Sequence, residues 1–391
     1  MDKLSKKTII IGSGLSGLSC AFYLKKKGID VKVYEKYQRS GGRVNSELKD
    51  GYILDIGFQV LLNNYDELKK MDIYKKLSLN YFDSGAEIFS DNQILNIYNP
   101  LFHPYKFLKS NFFRIFNMRD LFSFFHLFLI KDKDKKLNAG NYLKKYFSGK
   151  SLKYFFYPFF RGVFLSKNLN VDLFFFIKII KKFAFGKAGL PANGMMDIPS
   201  QIIKSANLNI SYDHNLIKID KNTAYFENGT KVKYDNIVLA LPLEEIKKLT
   251  ELNCNAYNNQ NLTCYIKSKK NVLKKSILLI SDNKYETNSI QCLSNISCKY
   301  TKNGDHLYSL SSLNYEMTVD RIIDEFAKIT KIKKDDFSLI KVYRIKSALP
   351  RFREFIKQKG NIYYCGDWST EPSIDGAIKS GRLIAENIIR D

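Results

Sequence analysis

The chain has 391 residues, of which 45% are hydrophobic and 14% aromatic; this excludes a disordered protein and predicts a large core divided between about two domains. Its formal charge of +24 would suit nucleic acid, an anionic membrane or an acidic partner, but no nucleic-acid-binding motif accompanies it, so nucleic acid is not predicted as a partner. Neither an apolar signal segment nor an apolar run of membrane-spanning length occurs, and we therefore expect a cytoplasmic protein that does not cross a bilayer.

The first stretch of the chain predicts a complete βαβ unit. Thr8–Ile11 is a β-branched apolar run typical of a buried parallel strand. Leu18–Lys27 is predicted as a helix that Gly28 ends, and Asp30–Tyr34 as the second strand.

Three glycines at the first turn of this unit form the pattern G-x-G-x-x-G. Gly12 permits the tight turn after the strand, Gly14 lets a pyrophosphate approach the backbone, and Gly17 lets the helix pack close to the sheet. The helix N-terminus offers free N–H groups to phosphates, and Glu35, about twenty residues further on, can accept hydrogen bonds from a ribose. The combination predicts a dinucleotide site rather than a structural glycine turn.

Two further glycine elements follow the unit. Gly41, Gly42 and Arg43 can wrap the far side of a pyrophosphate, with the guanidinium giving charge-assisted hydrogen bonds. The alternating run from Tyr52 ends in an Asp-x-Gly element at Gly57. Together with the βαβ unit, these elements resemble the FAD-dependent superfamily of flavin amine oxidases, protoporphyrinogen oxidases and phytoene-type desaturases. A nicotinamide dehydrogenase would not need the Gly-Gly-Arg element at this place.

Interior landmarks extend the resemblance. Phe160–Phe164 is similar to a Gly-Val-Phe element of the oxidases and desaturases, and Leu190–Pro199 to their Gly-Gly-Met element, with Asn193 in place of the first glycine. The resemblance implies that the backbone of Leu216 contacts adenine and that the strand before Pro242 ends in the superfamily's Ala-x-Pro element.

The C-terminal stretch carries the most specific landmark. Ile362–Trp368 is predicted as a strand and turn whose Gly366 N–H and Asp367 carboxylate can meet the ribityl chain of FAD. Ile374–Ala377 begins the last helix, whose N-terminal dipole end can face the flavin pyrimidine, where reduction puts negative charge. The Gly-Asp-Trp-Ser sequence at residues 366–369 is more similar to the motif of desaturases than to that of amine oxidases.

The fold class is therefore predicted as α/β, with a Rossmann-like FAD-binding domain built from discontinuous segments and an inserted α+β substrate domain that has a helical subdomain. Residues 1–64, 190–245 and 346–391 would form the FAD-binding domain, 65–189 the helical part of the substrate domain, and 246–345 its sheet part. The residues expected to bind FAD are Gly12, Gly14, Leu15, Ser16, Gly17, Glu35, Lys36, Gly42, Arg43, Gly57, Phe58, Leu216, Ala240, Gly366, Asp367, Ile374 and Ala377.

The helical part is basic and aromatic. Leu101–Phe185 holds 17 Lys or Arg against 4 Asp or Glu, and 25 of the chain's 54 Phe and Tyr. As a set, these rings suit a pocket for an apolar small molecule, although any single ring is better explained as core. Basic residues between aromatic ones would also suit a surface that contacts an anionic membrane; a soluble helical domain with solvated lysines is the alternative.

Cysteines and histidines indicate no second site. The six cysteines form no Cys-x-x-Cys pair and the four histidines show no metal-ligand or triad spacing, so neither a metal nor a disulfide is predicted. No cysteine occurs between Lys299 and Tyr364, where amine oxidases with covalent flavin carry theirs, so we expect non-covalent FAD.

These features favour an FAD-dependent oxidoreductase of the desaturase or dehydrogenase type, which takes hydride from a C–H of an isoprenoid, carotenoid-like or related substrate and passes electrons to a quinone or dioxygen. A flavin amine oxidase or protoporphyrinogen-type oxidase using dioxygen is the first alternative, and a non-catalytic flavoprotein the second. Amine oxidases keep a lysine near flavin N5; the matching position here is Thr263, or Lys267 if the register slips. No catalytic residue is assigned, because hydride transfer to a flavin requires no protein acid or base.

Overall fold

Strands and helices are interleaved along the part of the chain that the computed structural model describes, which comprises residues 6–130, 137–250, 252, 254, 257–275, 277–282, 284–302, 304–351 and 356–390. The strands are β1 (Thr8–Ile11), β2 (Val31–Tyr34), β3 (Ser46–Lys49), β4 (Tyr52–Asp55), β5 (Leu61–Leu62), β6 (Leu79–Tyr81), β7 (Gly85–Ser90), β8 (Gln93–Tyr98), β9 (Ala188–Pro191), β10 (Ile210–Ser211), β11 (Leu216–Asp220), β12 (Thr223–Phe226), β13 (Lys231–Lys233), β14 (Asn236–Leu239), β15 (Asn258–Ser268), β16 (Leu278–Ser281), β17 (Thr287–Cys292), β18 (His306–Ser312), β19 (Phe337–Pro350), β20 (Gln358–Lys359) and β21 (Ile362–Tyr364). The α-helices are α1 (Leu15–Lys26), α2 (Asp66–Lys70), α3 (Pro104–Leu108), α4 (Phe112–Ile115), α5 (Met118–Leu129), α6 (Ala139–Tyr146), α7 (Gly149–Ser151), α8 (Tyr157–Phe164), α9 (Leu173–Phe185), α10 (Asp197–Ala206), α11 (Leu243–Leu249), α12 (Val319–Thr330) and α13 (Ile374–Arg390).

A six-stranded sheet in the order β10-β2-β1-β14-β21-β20 carries the glycine motif. Every neighbouring pair in it is parallel except β20 with the adjacent strand β21. No residue of the central strand β1 is more than 2% exposed, which explains its unbroken apolar run. The predicted βαβ unit and the α/β fold class are confirmed, with the helix starting at Leu15.

The first and last helices pack tightly together on this sheet. A Cβ atom placed on Gly381 of α13 would lie 2.0 Å from the carbonyl oxygen of Ser16 in α1, so the two backbones approach as closely as glycine allows. This contact brings the N-terminal and C-terminal landmarks of the sequence into one place.

A seven-stranded sheet in the order β19-β15-β18-β17-β16-β7-β8 forms a second layer. Strands β7 and β8 come from the segment that the sequence analysis predicted as helical, so that prediction is wrong at residues 85–98. Asp91 and Asn92 join them with φ values of 48° and 60°, the geometry of a two-residue hairpin turn. Ala86, Ile88, Leu95 and Ile97 pack in one core cluster and Phe89 in another, so β7 is buried on both of its faces. The division of the chain into domains stays a prediction.

Three smaller antiparallel sheets complete the strands. They have the orders β11-β12-β13, β3-β4 and β5-β9-β6. The turn between β12 and β13 contains Gly229 at a φ of 84°, a left-handed conformation that glycine adopts without strain.

Helices α5–α9 pack around phenylalanine rings. Phe156, Phe160 and Phe176 are at most 1% exposed, and the last two rings lie 4.8 Å apart between centroids. Local capping sets where these helices begin: Asn117 and Asp120 form a reciprocal capping box at α5, and the Asp172 side chain accepts from the Phe175 N–H at α9.

Within the described ranges, no helix combines the length and apolarity that a membrane span requires.

Candidate functional site

One cavity of about 1100 Å³ extends from the glycine motif to the phenylalanine-rich helices. Pockets for drug-sized ligands measure about 300–1,000 Å³, so this cavity exceeds what one such ligand needs. Fifteen of the seventeen residues expected to bind FAD line it, while Gly17 and Gly366 do not. The structure therefore brings nearly all of the sequence landmarks to one cavity, although their contacts with FAD stay predictions.

The space around each of the three motif glycines fits the role predicted for it. A Cβ on Gly12, at a φ of +100°, would lie 2.5 Å from the Ala240 carbonyl oxygen, and a Cβ on Gly17 would lie 2.0 Å from the Gly12 carbonyl oxygen. Both positions are close-packed, so Gly17 acts through helix–sheet packing. By contrast, a Cβ on Gly14 would meet nothing within 4 Å, which leaves its backbone open to a ligand.

The start of α1 supplies backbone donors to the cavity. Leu15 and Ser16 line it, and the helical hydrogen bonds begin with the Leu18 N–H donating to the Gly14 carbonyl oxygen at 2.9 Å. The N–H groups of a first helical turn have no intrahelical acceptor and carry the positive dipole end. This arrangement fits a pyrophosphate.

Glu35 lies at the carboxyl end of β2 and is 7% exposed. Its Oε2 accepts from the Ser13 N–H at 2.8 Å and from the Ser13 hydroxyl at 2.7 Å, and its Oε1 accepts from the Tyr37 N–H at 3.1 Å. A carboxylate has about four acceptor sites, so the held side chain can still accept from a ribose hydroxyl. Leu216 and His214 line the same end of the cavity.

Arg43 and Asp367 form an ion pair across the cavity wall. The Arg43 Nη2 lies 2.6 Å from the Asp367 Oδ1, and the Nη1 donates to the Ala348 carbonyl oxygen at 3.0 Å. The sequence analysis placed one residue at the pyrophosphate and the other at the ribityl chain, without predicting that they touch. Their pairing fixes the orientation of both groups where they line the cavity.

Asp55 anchors the loop that leads to Gly57. Its carboxylate accepts from the Tyr300 hydroxyl at 2.8 Å and from the Met195 N–H at 2.9 Å, and it is 3% exposed. Burial raises the pKa of the Asp55 carboxyl, against the lowering effect of its hydrogen bonds. The buried, hydrogen-bonded Asp55 therefore fixes the loop whose residues Gly57 and Phe58 line the cavity.

Thr263 lies beside this loop. Its Oγ1 accepts from the Phe58 N–H at 3.2 Å and donates to the Asn261 Oδ1 at 2.8 Å, and the residue is fully buried. Lys267 instead places its Nζ 5.9 Å from the centre of the Tyr52 ring and does not line the cavity. Among the described lining residues, Lys36 at the nucleotide end is the single lysine.

The far end of the cavity is apolar. The fourteen described residues that line it between positions 112 and 180 are all uncharged and apolar, and nine of them are phenylalanines. The nine are Phe112, Phe116, Phe124, Phe128, Phe155, Phe159, Phe160, Phe164 and Phe175. Such a wall excludes water and offers flat rings for stacking.

A polar group on the sheet face that lines the cavity was not predicted from the sequence. Asn261, Ser289 and Ser311 line the cavity, and the two serine hydroxyls lie 2.8 Å apart. The signal was present in β15, where Asn261 and Thr263 alternate with Leu262 and Cys264. Alternation showed that one face is polar, but not that this face meets a cavity.

Neither a metal cluster nor a cysteine is found at the site. Across the ranges that the structure describes, no group of three or more His, Cys, Asp or Glu side chains is arranged to hold a metal ion, and no cysteine lines the cavity.

Comparisons with known proteins agree with this geometry. The family model "Flavin containing amine oxidoreductase" matches residues 15–389. Coproporphyrinogen III oxidase of Staphylococcus aureus is 43% identical over 56 residues, 14% of this chain and 12% of that protein. The 1-hydroxycarotenoid 3,4-desaturase of Flavobacterium sp. is 41% identical over 78 residues, 19% of this chain and 16% of its own length. The matched stretches thus span less than a fifth of either relative.

Among solved structures, an oxidoreductase from Methanosarcina mazei is similar over the whole fold. The TM-score is 0.79 at 16% sequence identity, covering 97% of this chain and 100% of the other. At that identity the likeness supports the fold alone.

Proposed function

Because the chain belongs to the flavin containing amine oxidoreductase family, we propose that it removes hydride from a C–H bond of an apolar, unsaturated substrate of isoprenoid or carotenoid-like type. The protein is a flavin-dependent oxidoreductase, and its cofactor is FAD. The activity and substrate class are the proposal.

The proposal rests on one observation: the cavity is continuous from its nucleotide end to the phenylalanine wall. Its nucleotide end is lined by Gly14 and Glu35 and its far end by nine phenylalanines, with no charged side chain among the described lining residues between positions 112 and 180. A charged substrate would lose its hydration there without gaining a counter-charge, whereas a polyene would gain contacts with the rings.

The geometry supports the proposed cofactor contacts. Gly14 and the first turn of α1 would hold the pyrophosphate, and Glu35 the adenosine ribose. Asp367 and the first turn of α13, where Ile374 and Ala377 line the cavity, would hold the flavin end.

The proposed reaction is a dehydrogenation. When bound, FAD supplies the two-electron acceptor. The substrate loses a hydride from one carbon and a proton from the neighbouring carbon, so that a C=C bond forms between them, and the proton passes to the solvent outside the phenylalanine wall. Dioxygen or a quinone takes the two electrons away. The phenylalanine wall aligns the substrate and excludes water, and the buried Thr263 leaves its position beside Phe58 uncharged.

A second candidate is oxidation of a porphyrinogen by dioxygen. The coproporphyrinogen III oxidase relative supports it, since its name specifies such a substrate, whereas the carotenoid desaturase relative supports the first candidate. The uncharged far end of the cavity offers no partner for porphyrinogen carboxylates and so favours the polyene.

Product analysis tests the proposal. The purified yellow protein is incubated in air, with and without a quinone, with isoprenoid polyenes, porphyrinogens and amines, and the mixtures are analysed by mass spectrometry. We expect a polyene product lighter by two hydrogens. Turnover of porphyrinogens or amines, with none of any polyene, would contradict the proposal.

A further inference from the structure

We propose that helices α3–α5 form a docking surface for an anionic lipid bilayer, and that the cavity opens onto this surface so that an apolar substrate can enter from the lipid. The second half of this inference rests on the proposed function. The surface, called the α3–α5 surface below, consists of Leu101, Tyr105, Leu108, Phe113, Met118, Phe122, Phe125, Leu129 and Phe185.

Exposed apolar side chains are concentrated in this one region. Of the eighteen large apolar residues that are exposed in the described part of the chain, nine belong to the α3–α5 surface, and eight of these nine lie between positions 101 and 129. Scattered exposed apolar residues are normal, whereas a concentration of them marks an interaction site.

On helix α5, the exposed apolar residues are distinct from those that pack in the core. Leu127 is fully buried and Phe124 and Phe128 pack against the same core cluster, so one face of the helix already serves the fold. Met118, Phe122, Phe125 and Leu129 follow one another at intervals of four, three and four residues and are 54–70% exposed. The helix therefore has a second apolar stripe that faces solvent.

Ring contacts join the three helices into one surface. Phe107 of α3 lies 5.8 Å from the exposed Phe113 of α4, and Phe112 stacks on Phe116 at 4.6 Å. Phe116 in turn lies 5.5 Å from Phe124 of α5. The exposed apolar side chains are thus supported by aromatic rings that contact one another from α3 to α5.

The exposed charges on these helices are all positive. Residues 101–129 contain Lys106, Lys109, Arg114 and Arg119, and the single acidic residue, Asp120, is fully buried in the capping box of α5. Lys109 also lies over the Tyr105 ring at 4.3 Å. Cations interleaved with amphipathic rings are the composition of a helix that lies in the interface of an anionic membrane.

The cavity reaches this surface. Leu101 and Phe185 line the cavity and are 61% and 62% exposed, so they mark the place where the cavity meets solvent. Phe112, Phe116 and Phe124, which support the surface, line the cavity just inside. A molecule dissolved in lipid would pass from the α3–α5 surface directly to the phenylalanine wall.

Charge selects the bilayer over a second copy of the chain. Lys106 is paired with Asp83 at 3.1 Å, but two copies that met through the α3–α5 surface would bring the other three cations, Lys109, Arg114 and Arg119, close to their counterparts, which costs free energy in an apolar contact. An anionic bilayer neutralises those cations and accepts the apolar stripe of α5 as well.

Flotation of the yellow protein tests the inference, with vesicles of phosphatidylcholine alone or mixed with phosphatidylglycerol. Phe122→Ser with Phe125→Ser removes the stripe, and Lys109→Gln with Arg114→Gln removes two charges; none of these residues lines the cavity. Leu48→Ser with Ile217→Ser, and Lys231→Gln with Lys233→Gln, are matched exposed controls elsewhere on the chain.

We expect the wild type to float with the anionic vesicles and the controls to behave alike. The serine variant should lose roughly tenfold in binding or more, and the glutamine variant about fivefold per charge removed. Absence of anionic binding at low salt, or equal binding by all variants, would overturn the inference, as would a dimer in sedimentation that the serine pair abolishes without any vesicle binding. Turnover of detergent-dispersed substrate by the serine variant reports separately on the proposed function.

Discussion

At the scale of single residues, Glu35 illustrates how side chains that line the cavity are held in place. Ser13 donates twice to its Oε2, once from the backbone and once from the hydroxyl, so the carboxylate is held at the carboxyl end of β2 before any ligand arrives. Arg43 is held similarly by Asp367. Side chains fixed in this way lose little conformational entropy on binding.

Replacing Glu35 should weaken the binding of FAD. We expect Glu35→Gln to raise the dissociation constant by a factor that corresponds to about 1–3 kcal/mol, because a hydrogen bond to a charged acceptor becomes one to a neutral amide. Titration of apoprotein with FAD, followed by flavin fluorescence, measures the change. Glu316→Gln alters an exposed acid and serves as the control; a loss no greater than the control's would show that Glu35 does not hold the ribose.

At the scale of elements, the joint between α2 and α13 supports the C-terminal end of the cavity. Arg382 of α13 donates from Nε to Oε2 of Glu67 at 2.7 Å and from Nη2 to Oε1 at 3.1 Å, and Glu67 is 3% exposed. Burial raises the pKa of the Glu67 carboxyl, but hydrogen bonds and charges from Arg382 and Lys70 outweigh it and hold the pKa below its ordinary value.

Breaking this joint should destabilise the fold in a way that depends on pH. The lowered pKa means that the folded chain binds the Glu67 proton more weakly than the unfolded chain, so its stabilisation is present above the ordinary pKa of 4.5 and is lost as the pH falls through the lower folded value. Arg382→Met should cost up to about 3–5 kcal/mol at neutral pH, since it leaves a buried carboxylate with Lys70 alone.

Urea unfolding from neutral to acid pH measures this effect. The difference between wild type and Arg382→Met should shrink as the pH falls below 4.5. Lys75→Met, which breaks an exposed pair with Asp72, should change little. A deficit for Arg382→Met that stays constant with pH would contradict the role given to Glu67.

The individual elements differ in how far they could be predicted from the sequence. The βαβ unit was predictable because strand, glycine turn and helix are neighbours in the chain. The Arg43–Asp367 pair was not, because the partners are 324 positions apart and no local pattern links them. In α5 the sequence showed phenylalanines, but periodicity could not say that Phe124 faces the core and Phe125 the solvent. Strand β7 was not predictable in this way, because its residues 86–90 are all buried and no alternation of polar and apolar residues marks it as a strand.

At the scale of the whole molecule, the protein should purify yellow and release FAD intact. No cysteine lines the described part of the cavity, so no thioether to the flavin is expected there. Acid precipitation followed by mass spectrometry of the supernatant should recover FAD. Flavin that remains with the precipitated chain would show a covalent link.

The continuity of the cavity from Gly14 to the phenylalanine wall supports the proposal that an apolar substrate reduces FAD. Anaerobic mixing of the yellow protein with a panel of isoprenoids and a panel of amines, followed by flavin absorbance, tests this most directly. We predict rapid bleaching by unsaturated apolar compounds and none by amines. Rapid bleaching by amines alone would contradict the account.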